Sequence, residues 1–333
     1  MNTGKLPPEI LTRLLSRAHS DSSVIIGPAY GEDAAAVRFG GKVLIAAADP
    51  VTFATDRIGY YAVCVNANDI AVLGATPKYF LATILLPEGS TESDAESVFS
   101  EIEQSCQAIG VTLIGGHTEI TPTVTQTVVS GCMLGEATED SLIRTGGAAV
   151  GDAIVLIGGY AIEGASILAR EAASSLQSHG VSEQTISRAA AYVDTPGICI
   201  VDSARIAKEI GGVTAMHDPT EGGVATALRE VATAAGKGFS IDRDALQPLQ
   251  ECDIICRALR IDPLGLIASG CLILTIDPSR ADDLLCECIS RDIAASVIGR
   301  VVPADRGIRF TDGTDLPTFE RDEIARYLDE RTP

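Results

Sequence analysis

The run HDPTEGG at 217–223 sets a carboxylate, a hydroxyl, a second carboxylate and two glycines just before the helix-forming stretch VATALREVA. Backbone N–H groups at a helix start point outward with partial positive charge, so such a turn can hold phosphate oxygens. A bland alternative is an N-cap supplied by Asp218 or Thr220. Four other segments have the same flavour: GEDAA at 31–35, AADP at 47–50, NANDIAVLGATP at 66–77 and GGHTE at 115–119. Singly, GEDAA reads as a turn, AADP as a strand end and GGHTE as a tight turn, while the helical Asp69 is harder to dismiss. Together they suggest hard-cation chemistry, because Mg²⁺ takes oxygen ligands from one or two carboxylates and substrate phosphates. Asp33, Asp49 and Asp69 are the candidate metal ligands. The N–H groups at the Gly115-Gly116 turn and at the helix after Gly222 are candidate phosphate donors. The combination suits an ATP-type substrate. The sequence contains neither a Walker A run nor the protein-kinase signature set, so the nucleotide site is of another type.

These residues need elements to hold them. AAAVRF and KVLIAAA flank Gly40-Gly41, a strong hairpin signal that brings Asp33 and Asp49 out at one end. A helix is expected over about 57–73, stopped by Gly74 and Pro77. Between Arg57 and Lys78 its only charge is Asp69. A lone carboxylate in so apolar a helix is expected to be partly buried and to need a cation or hydrogen bonds. Asn66, three residues earlier, shares its face. Further expectations are a helix over 8–20, a strand over 79–86 and a helix over 91–109. VTLIGG is expected as a strand ending in a glycine turn that carries His117, Thr118 and Glu119. TQTVVSGCMLG then forms another strand. Past a boundary near 146–152, AIVLIGG, GGVTAMH, CLILTID and ASVIGRVV read as strands. AIEGASILAREAA, 221–235, 279–290 and the last residues read as helices, with Thr195-Pro196 opening one more. Both halves are therefore mixed α/β, with no clear internal repeat.

Composition narrows the function. The 333 residues are 46% hydrophobic, enough for two ordinary domains. No apolar run approaches the roughly 18 residues of a membrane span, and the N-terminus lacks signal-peptide regions. The formal charge of −20, from 45 acidic and 25 basic residues, argues against nucleic acid and anionic membranes as partners. Nine cysteines without a CxxC fit reduced thiols and a cytoplasmic location.

GEDAAAV, NDIAVLGATP, GGHTE and DPTEGG occur here in an order and spacing that resemble the PurM-like superfamily, which includes aminoimidazole ribonucleotide (AIR) synthase, thiamine-monophosphate kinase, selenophosphate synthetase and the hydrogenase maturation family HypE. GKLPPEILTRLL, IEGASILA, GGVTAMHDPTEGGVATALREVA and DPLGLIASGCLIL are similar to the HypE branch. The resemblance covers about residues 4–303. It implies a two-domain fold of α+β type. Residues 1–148 form an AIR synthase-related N-terminal domain that binds ATP and pairs in a homodimer to close a β-barrel. Residues 149–305 form a ferredoxin-like C-terminal domain, and 306–333 a tail with a terminal helix. It implies ATP bound with Mg²⁺ between the domains, and use of the γ-phosphate to activate an oxygen of a small-molecule, carbamoyl or amide substrate. Carried over by position, Asp33, Asn66, Asp69, Gly115, Gly116 and Gly222 contact the nucleotide, and Asp33, Asp49 and Asp69 the metal. Asp218, Thr220 and His117 are the catalytic candidates. The branch acts in hydrogenase maturation, which implies a maturation partner protein.

Two departures stand out. HypE proteins carry their reacting cysteine on the C-terminal tail, whereas this chain ends DERTP and its last cysteine, Cys288, falls in an expected helix. Self-dehydration on the tail is therefore not expected. An acidic residue is usual in HypE and in thiamine-phosphate kinases where His117 stands, while selenophosphate synthetases often have histidine there. The competing readings are a nucleotide-binding scaffold without catalysis and a thiamine-monophosphate kinase-like enzyme.

Overall fold

Strands that bury every second side chain need cover on one face only, and the first half of the chain is built this way. A computed structural model describes residues 6, 8–29, 31–52 and 56–330. They divide into two compact units, Ala18–Leu142 and Met1–Arg17 with Ile143–Pro333.

In the first unit the strands are β1 (Val24–Ile26), β2 (Ala35–Phe39), β3 (Lys42–Ala47), β4 (Pro50–Val51), β5 (Thr76–Leu86), β6 (Thr112–Ile120) and β7 (Val128–Ala137). Their order is β1-β2-β3-β7-β5-β6, with β4 also on β7. Pairing is antiparallel except between β5 and β6. Burial alternates along β3 and β7, which marks one face as core. Helix α2 (Ile58–Val72) packs on β3, β5 and β7, and α3 (Glu92–Ala108) packs on α2 and β6. Because α2 is apolar on nearly all sides, it is buried on nearly all sides. Gly59 permits its close crossing with α3: a Cβ there would lie 2.7 Å from the Val98 carbonyl oxygen. A capping box between Thr91 and Asp94 opens α3.

The second unit begins with α1 (Pro8–Leu15) and continues from Ile143. Its strands are β8 (Ala153–Ile157), β9 (Val213–His217), β10 (Gly238–Ile241), β11 (Leu272–Ile276), β12 (Ala295–Val302) and β13 (Ile308–Phe310). They run in the order β13-β10-β12-β8-β11-β9, antiparallel apart from β10 with β13. Every residue of β8 and β11 is buried, so both faces of this sheet are covered. The helices are α4 (Ile162–Glu171), α5 (Ala173–Ser178), α6 (Glu183–Ala190), α7 (Val201–Ile210), α8 (Gly223–Ala235), α9 (Gln250–Leu259), α10 (Pro278–Ser290) and α11 (Glu323–Asp329). Among the described residues no helix is long and apolar enough to cross a membrane, and all nine cysteines are free thiols.

Three local expectations are corrected. The first helix ends at Leu15 rather than near Ser20, because the polar run after it has no apolar face to bury. Thr195-Pro196 opens no helix. The Thr195 and Gly197 N–H groups bond back to Ala191 and Tyr192, closing the preceding turn, and α7 starts only at Val201. Gly115-Gly116 is not a turn: β6 runs unbroken through it to Ile120.

Candidate functional site

In the first unit the hairpin register Phe39↔Lys42 through Ala35↔Ala46 brings the chain ends bearing Asp33 and Asp49 to one side. Asp49 is then fixed through its backbone. Asn66, fully buried on α2, accepts the Asp49 N–H at 2.9 Å and donates to the Asp49 carbonyl at 3.1 Å. Its amide also donates to the Ala62 carbonyl at 2.9 Å. One side-chain amide thus grips both polar groups of a single residue, as a neighbouring strand would. The Gly131 N–H adds a bond of 2.9 Å to the same carbonyl. Gly131 is required here, since a Cβ would lie 2.4 Å from the Asn66 amide nitrogen. The glycine inside strand sequence VVSGCMLG is the signal that could have revealed it.

Asp69 lies one helical turn beyond Asn66 on the same face and is only 5% exposed. Asp33 is half-buried and Asp49 exposed. The three carboxylates stand on adjoining segments without meeting at a point: among the described residues they form no set with all ligand atoms within 4.8 Å. Like charges resist closer approach until a cation offsets them.

Gly115 and Gly116 sit mid-strand. Just before them β6 carries the irregularity: Leu113 pairs with Phe80 and Gly115 with the next residue, Leu81, so Ile114 is an extra residue in the ladder, and a Cβ on Gly116 would fall 1.9 Å from the Ala82 carbonyl oxygen. The glycine is demanded by this close backbone, whereas nothing lies near Gly115. His117 is exposed and meets the exposed Glu119 at 3.2 Å. Phe99, Ile102, Ile114, Gly116 and His117 line a shallow cleft beside the strand.

In the second unit β9 delivers His217, 4% exposed, and Asp218, 2% exposed. His217 Nε2 meets Glu230 of α8 at 2.9 Å. Burial pushes up the nearby Cys271 thiol, and the Asp218 charge adds to this. The Thr220 carbonyl accepts the N–H groups of Gly223 at 3.1 Å and Ala268 at 3.3 Å. Gly222 and Gly223 are left-handed, with φ of 79° and 66°. A Cβ on Gly223 would lie 2.5 Å from the Leu264 carbonyl oxygen. The N-cap of α8 is Gly222 and no side chain caps it, so neither Asp218 nor Thr220 plays the bland capping part.

The Gly222 N–H, expected to face phosphate, donates instead to the Asp322 carboxylate at 2.7 Å. Near it lies Glu163, 6% exposed, in the first turn of α4. The side chain and backbone of Ser269 both hydrogen-bond to Glu163, while its Oε2 is buried with no hydrogen-bond partner. Burial pushes the Glu163 carboxyl up to about 7, and the Glu221 and Asp322 charges add to it. Burial likewise raises Asp322 to about 6, against the N–H groups of Ile324, Gly222 and Ile267. The sequence reading missed both acids. Glu163 had the same signal as Asp69, since it is the only charged residue between Asp152 and Arg170. Asp322 had none, being 100 residues from its partner.

Residues 31–137 match the family model for the AIR synthase related protein, N-terminal domain, and 149–312 match that for its C-terminal domain. A putative hydrogenase expression/formation protein of Methanocaldococcus jannaschii is 28% identical over 290 residues, 85% of this chain and 83% of that protein. A carbamoyl dehydratase HypE of Rhodobacter capsulatus is 30% identical over 265 residues, 78% of this chain and 74% of that one. Among solved structures, hydrogenase maturation protein HypE in complex with ATP is similar with a TM-score of 0.70 and 22% identity, covering 95% of this chain and 91% of that chain.

Proposed function

Since the chain belongs to the AIR synthase-related, PurM-like superfamily, we propose that it is an ATP- and Mg²⁺-dependent enzyme that phosphorylates a small molecule or activates a carbamoyl or amide oxygen. The observation that carries this is Asp69: a carboxylate 5% exposed on an otherwise uncharged helix, one turn from the Asn66 amide that fixes Asp49. A buried carboxylate is costly without a compensating charge, and a divalent ion bound with triphosphate supplies one. The donor set fits Mg²⁺, which favours oxygen ligands and is commonly held by few carboxylates. Asp33, Asp49 and Asp69 would hold the ion, which when bound spreads the charge developing on the transferred phosphoryl group. Gly115 and Gly116 are the candidate phosphate contacts. His117, Asp218 and Thr220 are the candidate catalytic groups. Gly222 joins the phosphate contacts only when its N–H is released from Asp322.

The finer architecture belongs to the same reading. The strand order β12-β8-β11-β9 is compatible with a ferredoxin-like core. The β6 edge, with Ile114 50% and Ile120 58% exposed, offers an unpaired strand to a second copy, as a homodimeric barrel requires.

Isothermal titration of ATP with Mg²⁺ tests the proposal. Saturable binding is expected in the wild type, weakened at least about tenfold in Asp69→Asn while the fold survives, because a buried charge has been removed rather than created. Equal affinity in the two proteins would refute the metal role. Binding without phosphate release on any acceptor would favour the scaffold reading over the enzyme.

A further inference from the structure

The C-terminal segment lies across the 220–223 turn, held mainly by polar groups. Arg229 of α8 donates to the carbonyls of Leu316 and Pro317. The Phe319 ring covers Gly265, where a Cβ would come within 2.4 Å of it. Asp322 accepts N–H groups from Gly222 and Ile267 and caps its own helix at Ile324. Glu323 accepts the Asp262 N–H at 3.1 Å and pairs with Arg326 at 2.6 Å. Leu316, Ile324 and Tyr327 are the apolar anchors.

Its central docking group enters an acidic neighbourhood. Asp322 and Glu163 are both more than nine-tenths buried, and the charges acting most strongly on Glu163 are Glu221 and Asp322. From α6 and α9, which pack on α4, the nearby charges Arg188 and Glu251 are engaged with each other and with Tyr192. On the segment itself, Arg326 is taken by Glu323 and Glu330, and Arg321 by Asp329. A proton on Glu163 lets the Asp322 carboxylate keep its three N–H donors beside a neutral neighbour. Without that proton, two buried charges face Glu221 across a site of low polarity, and Glu163 has an oxygen with no donor.

We propose that residues 316–329 form a proton-operated strap: protonated Glu163 lets Asp322 hold the segment on the Gly222 and Ile267 amides, and deprotonation of Glu163 releases the segment and uncovers the 220–223 turn. The relevance of the uncovered turn to phosphate rests on the nucleotide reading; the strap does not. Because lifting the strap hydrates Glu163, opening is linked to loss of its proton. With Glu163 at about 7 in the closed form and near its ordinary value when open, opening should rise about tenfold between pH 6 and pH 8.

Hydrogen–deuterium exchange of the full chain without nucleotide, corrected for intrinsic exchange, reads this directly. Peptides spanning 316–330 should lose about tenfold in protection from pH 6 to pH 8, while those of β8 and β11 hold theirs. Glu163→Gln should abolish the pH dependence and keep the strap closed at both. Protection of 316–330 that does not change with pH in the wild type overturns the proposal, as does a Glu163→Gln protein that retains the full wild-type pH dependence. If Glu163→Gln does not fold, Glu221→Gln serves: with one raising charge removed, Glu163 is less elevated in the closed form, so the change in protection between pH 6 and pH 8 should shrink well below tenfold, and an unchanged amplitude counts against the strap. A protein that binds no ATP yet shows this pH dependence would defeat the nucleotide reading and leave the strap standing.

Discussion

GGHTE and HDPTEGG share a histidine, a threonine, a glutamate and a glycine pair, with the pair in front in one and behind in the other, and they fold in opposite ways. In the first, both glycines lie within an exposed edge strand, and His117 and Glu119 meet in solvent. In the second, the glycines are left-handed and start a helix, and His217 is buried against Glu230. A shared composition therefore carries little information about the local backbone. What decides is the neighbour: the Ala82 carbonyl facing Gly116 in one case, the Leu264 carbonyl facing Gly223 in the other. The difference also reaches function, because one segment offers its groups to solvent while the other has its first N–H already engaged by Asp322.

The largest expected effect contrasts the histidines. His217→Ala removes the 2.9 Å partner of Glu230, whose side chain is 12% exposed, and breaking a largely buried pair from one side costs about 3–5 kcal/mol. Urea unfolding should show that loss. A value below about 1 kcal/mol would mean the buried pair contributes no more than a surface one, and the contrast would fail.

Next come the glycines. Gly116→Ala puts a Cβ 1.9 Å from backbone that cannot yield, and should cost roughly 3 kcal/mol. Gly115→Ala meets nothing within 4 Å and pays only for its unusual φ, about 1 kcal/mol. Thermal denaturation of the two neighbours should separate them clearly. Equal losses would show that conformation rather than packing selects both glycines.

These cases mark where sequence reasoning reached and where it stopped. The Gly40-Gly41 hairpin, α2 and the strand ASVIGRVV were legible because their signals are local: a two-residue turn, a continuous apolar helix, a β-prone run. The burial of Asp69 was legible because a helix apolar all round is buried all round and takes its one charge inside with it. The strand through Gly115-Gly116 was not, since what fixes Gly116 in it is the Ala82 carbonyl of the partner strand β5, about 35 residues earlier along the chain. Nor was the Asp322–Gly222 bond, whose partners are 100 residues apart. Glu163 was legible by the Asp69 criterion, but a helix that looked ordinary drew no attention to it. The two acids also differ chemically: Asp69 shares its helix face with an amide that grips Asp49, whereas Glu163 faces further carboxyls.

Burial, with that acidic surrounding, makes the neighbourhood of the second segment sensitive to pH. Glu163 rises from 4.5 to about 7 on folding, so the folded protein binds the extra proton. Its contribution is fully present below about pH 4.5 and is lost as pH rises through about 7. For a group this buried the loss is at most about 3 kcal/mol. Urea midpoints should therefore fall between pH 5 and pH 8, and Glu163→Gln should flatten that fall, gaining stability at pH 8 and little at pH 5. A wild-type midpoint that climbs over this window would contradict the burial effect.

The smallest expected effect is His117→Ala. The His117–Glu119 contact is exposed on both sides and 3.2 Å long, and such pairs contribute about 0–1 kcal/mol. Stability should hardly move, in contrast to His217→Ala. The two mutants then separate structure from chemistry, because a stable His117→Ala protein can be assayed at full concentration. If His117 serves catalysis as proposed, ATP-dependent phosphate release should fall while the melting temperature stays put. Unchanged release in a folded variant would remove His117 from the catalytic set, and would leave the first segment as an edge strand whose histidine serves only its neighbour Glu119.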